Sequence, residues 1–157
     1  MYTEQITQRL GICAPVSNQT INSGGTATVT TGAIDMSKFH RAFFLVEIGT
    51  VTAGGTVTLN LIESASSTLS ASQNPQGVGL STVQLTGLST SSKQYSFEIR
   101  ADQLDAGYRY VGLQATETSG GGGHNVNITI VGFGDEALQK PGKAQNDTSV
   151  ATQNVAA

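Results

Sequence analysis

Along residues 56–62 the chain alternates: Val57, Leu59 and Leu61 are apolar, and Thr56, Thr58 and Asn60 between them are polar. A period of two sends successive side chains to opposite faces of a β-strand. The alternation returns where Tyr95, Phe97 and Ile99 interleave with Ser96, Glu98 and Arg100. Residues 26–31, 82–88, 108–118 and 125–133 read as further strands. Residues 43–48 are almost continuously apolar, which predicts a central strand covered on both faces. Gly54-Gly55 separates that strand from the next. The run Ser119-Gly120-Gly121-Gly122-Gly123 predicts the tip of a hairpin joining 108–118 to 125–133. Asp35 is predicted to cap one tight turn over residues 35–39, and residues 64–81 an exposed loop or weak edge strand.

About seven or eight strands at this short spacing predict an all-β fold, an antiparallel β-sandwich or jelly roll. No repeat of fixed period is visible. Residues 1–22 are expected to form an N-terminal arm, 23–134 the β-sandwich and 135–157 an extended, polar C-terminal tail. Within the arm Tyr2, Ile6 and Leu10 recur every fourth position, an amphipathic stripe too short to be a stable helix on its own. The arm and tail are therefore expected to dock on partners, with Ile6, Leu10, Leu138, Lys140 and Val150 as contact residues.

Composition sharpens this picture. Charged residues make up 12% of the 157 positions, against about 25% in ordinary soluble domains. Thr, Ser, Gly, Asn and Gln fill the difference, and they suit half-exposed strands and turns. The net charge is −3, with both signs scattered, so no basic surface is expected to hold nucleic acid. No apolar run approaches the roughly 20 residues of a membrane-spanning helix. The start Met-Tyr-Thr-Glu-Gln lacks the basic and apolar regions of a secretion signal. Cys13 has no second cysteine to pair with. Folding in a reducing cytoplasm is expected.

Candidate chemistry is sparse. Gly120 to Gly123 lacks the Gly-Lys-Ser/Thr ending of a phosphate loop and precedes a strand, where a phosphate loop must feed a helix. His40 and His124 each lack a second ligand at metal spacing, so surface histidines are expected. Cys13 has no neighbouring base and reads as a small apolar filler. Asp102 and Asp105, with Gln103, Arg100 and Arg109 nearby, read as a turn-capping and salt-bridge cluster with too few oxygen ligands for calcium. Asp135 and Glu136 form a second acidic pair. Three Asn-x-Thr triplets begin at Asn18, Asn127 and Asn146, an expected by-product of a Thr- and Asn-rich chain. Neither an enzyme nor a cofactor is indicated. Tyr108 and Tyr110 leave one alternative open, a glycan- or receptor-binding β-module of a tail or surface fibre, although core or interface packing also accounts for them.

Two stretches carry a family resemblance. One is Ala33-Ile34-Asp35-Met36-Ser37-Lys38-Phe39-His40-Arg41, followed by Thr52-Ala53-Gly54-Gly55-Thr56-Val57 and Leu61-Ile62-Glu63-Ser64. The other is Ile99-Arg100-Ala101-Asp102-Gln103-Leu104-Asp105-Ala106-Gly107-Tyr108-Arg109-Tyr110-Val111. Over residues 30–134 the chain resembles small head decoration, or cement, proteins of tailed bacteriophages and prophages. That resemblance implies a structural virion protein on the outside of a capsid, made in the cytoplasm of a bacterial host. It implies the major capsid protein and sister copies as partners, with no nucleic acid or membrane.

Overall fold

The computed structural model describes residues 10–14, 16–23, 26–49, 55–77, 82–86, 93–119 and 124–137. They build two antiparallel sheets packed face to face. The strands are β1 (Gly11–Ile12), β2 (Val16–Ser23), β3 (Thr26–Thr30), β4 (Ile34–Asp35), β5 (Phe39–Ile48), β6 (Gly55–Ser64), β7 (Thr82–Thr86), β8 (Lys93–Arg100), β9 (Tyr110–Ser119) and β10 (His124–Ala137). A 3-10 turn, Ala101–Gln103, follows β8.

In the first sheet β10 lies between β5 and the pair β1 and β2, and β8 forms the far edge beside β5. In the second, β9 lies between β6 and the pair β3 and β4, and β7 is the edge beside β6. If β1 with β2, and β3 with β4, are each taken as one interrupted strand, the pairing is nested. The first strand meets the last, the second the second-last, β5 meets β8 and β6 meets β7. Rolling this long hairpin over itself adds the contacts β10 to β5 and β9 to β6. The result is an eight-stranded jelly roll, the fold class expected from the alternation.

Inward residues of the two sheets form one core. Phe44, Val46 and Ile48 on β5 and Ile128 and Ile130 on β10 face Leu59 and Leu61 on β6 and Leu113 on β9, all fully buried. Each such side chain stabilises the fold by about 1.5–3 kcal/mol over leaving it in water. Glycine makes room for the largest rings. A Cβ on Gly134 would lie 2.4 Å from the ring of Phe39, and one on Gly112 the same distance from Cδ1 of Leu69. Leu69 reaches that place with a φ of 55°, a conformation that costs a leucine of order 1–3 kcal/mol and persists because its side chain is buried.

Four expectations change. Residues 11–12 and 16–22, assigned to an arm, are strands paired to β10. At the other end β10 continues to Ala137, past the expected boundary at 134. The stretches 108–118 and 125–133 do not form a hairpin: β9 pairs with β3, β4 and β6 and β10 with β1, β2 and β5, in different sheets. Residues 43–48 are covered on one face only, since β5 is central in hydrogen-bonding order while its outer face stays open. There Leu45 is 42% exposed and Glu47 is exposed.

Candidate interaction surfaces

Three segments, 33–41, 61–64 and 99–111, meet at one corner of the roll. Ile34 and Asp35 pair with Val111 and Tyr110, and Glu63 and Ser64 pair with the same two residues from the other side. Met36 N donates to Arg109 O at 3.0 Å, and Arg109 N donates to Ser64 O at 3.2 Å. Asp35 caps the expected turn: its Oδ1 accepts from Ser37 N at 3.0 Å and from Ser37 Oγ at 2.7 Å. Arg109 then grips the same carboxylate with both prongs, Nε to Oδ1 at 2.7 Å and Nη2 to Oδ2 at 2.6 Å. Such charge-assisted, two-pronged bonds are the strong kind. Arg109's hydrogen bond is the main reason Asp35 is held at about 2 rather than 3.8.

Beside this pair, Glu63 is fully buried. Its Oε1 accepts from Gln73 Nε2 at 3.0 Å and its Oε2 from Asp105 N at 3.1 Å. The same Gln73 nitrogen donates to Asp105 Oδ2 at 2.9 Å. Burial, reinforced by the neighbouring Asp105 carboxyl, pushes Glu63 above its ordinary value. These bonds tie the loop 65–77 and the turn 101–107 to the end of β6. The expected acidic cluster therefore divides. Asp102 pairs with Arg100, Nε to Oδ1 at 3.0 Å, in the open, Asp105 joins Glu63 and Gln73, and Arg109 serves Asp35. Among the described residues no three His, Cys, Asp or Glu come together to hold a metal ion. His40 is exposed on β5, His124 opens β10 and Cys13 is buried, its thiol donating to Gly11 O at 3.4 Å. Tyr110 carries the Arg109 guanidinium 5.3 Å from its ring centroid, so that face of the ring is not open to a sugar.

The second surface is the outer face of the first sheet. A groove of about 320 Å³ is lined by Leu10, Arg41, Phe43, Glu98, Phe133 and Asp135. Phe43 and Phe133 are register partners on β5 and β10, with ring centroids 6.3 Å apart. Arg41 and Glu98 lie 3.7 Å apart across the rim, exposed to solvent. Ring faces beside paired charges suit a protein contact, where an apolar centre sits inside a polar rim. Of the residues expected to make contacts, Leu10 lines this groove, whereas Ile6, Leu138, Lys140 and Val150 lie outside the described residues. Phe43, Phe133 and their charged neighbours were not singled out from sequence. The signal was the nearly continuous apolar run at 43–48: in an antiparallel sandwich, consecutive apolar residues mean apolar side chains on the outside, here Phe43 and Leu45.

No protein-family model matches this chain, and no curated protein matches it. Solved structures do. Chains from the Gx and Gt strains of infectious bursal disease virus align over 85% of this chain with a TM-score of 0.51, at 11% and 12% identity. This chain covers 33% and 34% of them, about a third of their length. A broad bean stain virus chain aligns over 89% of this chain and 94% of its own, at 8% identity and a TM-score of 0.45. At such identities the likeness is one of fold: the two-sheet jelly roll of this chain has counterparts in the infectious bursal disease virus chains. Among the described residues no helix is long and apolar enough to cross a membrane.

Proposed function

We propose that this chain is a non-enzymatic structural protein of a bacteriophage particle, decorating the outside of the capsid and binding the major capsid protein and sister copies. The observation that carries the reading is the jelly roll shared with virus-particle chains over 85% of this chain. The resemblance of residues 30–134 to phage head decoration proteins narrows it to decoration. The groove of the first sheet supplies an attachment surface with Leu10, Phe43 and Phe133 at its apolar centre. Gly11 of β1 pairs with Gly134 near the end of β10, and Leu10 before it lines this groove; on this reading residues 1–9 and 138–157 serve the same attachment.

Co-sedimentation with capsids lacking the decoration protein tests the assignment. Full-length chain is expected to pellet with capsids, and Phe43→Asp to reduce that binding at least tenfold while the free protein keeps its melting temperature to within a few degrees. Absence of wild-type binding to the capsids would reject the assignment.

A further inference from the structure

The outer face of the second sheet is of opposite character to the groove. One row across its four strands reads Thr28, Thr116, Thr58 and Gln84, each the register partner of the next. The row on one side reads Thr30, Gln114 and Asn60, and on the other Thr118 faces Thr56. Each of these side chains is half-buried or exposed, while the alternate positions Val57, Leu59 and Ala115 are fully buried. Neighbours already bond within the face: Thr28 and Thr116 hydroxyls lie 3.2 Å apart, and Gln114 Nε2 donates to Thr30 Oγ1 at 3.3 Å. None of these positions is charged. The first sheet's outer face, by contrast, carries Arg41, Glu47, Glu98 and Asp135.

We infer that this neutral threonine face is a contact between two copies of the chain. The argument is one of charge. Natural surfaces intersperse charges that discourage association, and these three rows have none among their described side chains, the paired Asp35 and Arg109 lying at the other end of the sheet. Copies with a net charge of −3 meet most readily where no like charges are brought together. A charged partner would lose hydration there without gaining a counter-charge. Threonine also suits a two-fold contact, because each hydroxyl both donates and accepts, so identical faces are complementary to each other. Strand spacing near 4.8 Å and repeats near 6.8 Å along each strand give a face on the order of 400 Å². That is about half the area per partner of a standard stable interface. The contact is therefore weak between free molecules and cumulative where many copies share one surface. This deepens the sister-copy part of the proposed function. Its test uses free protein, so its failure is separable from a failure to bind capsids.

Sedimentation velocity on the full chain, in a concentration series to the millimolar range, reads the contact. Wild type is expected to associate with little dependence on salt. Thr58→Lys and Thr58→Glu are each expected to weaken association at least about tenfold by placing like charges face to face. An equimolar mixture of the two should recover it, which a folding defect cannot mimic. A monomeric wild type at every concentration, charged variants that associate as wild type does, or a mixture that fails to recover would each overturn the inference. So would saturable binding of a neutral oligosaccharide such as maltohexaose that Thr58→Lys abolishes, since the face would then belong to a sugar.

Discussion

Asp35→Asn removes the charge from the Asp35–Arg109 pair and leaves a side-chain oxygen to cap Ser37. In the wild type the carboxyl is held at about 2 against 3.8. Nearly two units at 1.36 kcal/mol each correspond to about 2.5 kcal/mol. The Arg109 side chain is 52% exposed, whereas Asp35 is 15% exposed. Solvent screening on the arginine side brings the expected loss to about 1 kcal/mol. For a domain of this size that lowers the melting temperature by about 2–4 °C near neutral pH. The sign of the pH dependence follows from the direction of the shift. A carboxyl whose folded value is depressed contributes its stability above its unfolded value and loses it as pH falls through the folded one. Wild type and variant should therefore differ most above about pH 4 and converge as pH falls toward about 2. Thermal melts by circular dichroism between those limits measure the difference. A gap that stays constant to pH 2 would refute the reasoning, because the loss would then come from the turn and not from the ion pair.

Three further outcomes are expected. Asp105→Asn removes the like charge facing buried Glu63, whose value is raised mainly by burial. A raised carboxyl contributes stability below its unfolded value and loses it as pH rises through the folded one, so the variant should melt higher than wild type at pH 7 and equal it near pH 4. Gly134→Ala places a methyl 2.4 Å from the Phe39 ring and should cost about 1–3 kcal/mol in urea unfolding, as overpacking does. Deleting residues 138–157 should leave the melting temperature unchanged while weakening co-sedimentation with capsids; equal binding by the truncated chain would confine attachment to the groove.

The strands easiest to read were those whose pattern does not depend on neighbours. β6 and β8 alternate because one face meets the core wherever the sheet lies, and the structure places both as expected. Segment β2 carries little such signal: Val-Ser-Asn-Gln-Thr-Ile-Asn-Ser has two apolar residues, and its identity as a strand comes from pairing with β10. The glycine run before β10 marks a change of direction, yet glycine serves equally a return within one sheet and a crossing between two. The site partners were still less legible. Asp35 and Arg109 are 74 positions apart and Glu63 and Asp105 are 42 apart, so only the roll brings them together. Sequence identified Asp35 as a cap, from its place before a turn, and had no means of naming the arginine that binds it.

The demands of folding and the proposed contacts therefore fall on different parts of this molecule. Residues 33–41, 61–64 and 99–111 converge on the corner where Asp35, Arg109, Glu63 and Asp105 lock one end of the second sheet to two loops. A corner of that kind is demanding: each carboxylate is fixed by specific donors, and a buried group that loses its partner costs about 1–3 kcal/mol. The two outer faces carry no such demand, because an alternating strand folds with almost any polar residue pointing outward. Phe43 and Phe133 on one face and Thr58 and Thr116 on the other are thus free to follow whatever each face touches. The corner holds the fold, and the residues that name the partners are those whose replacement leaves the melting temperature unchanged.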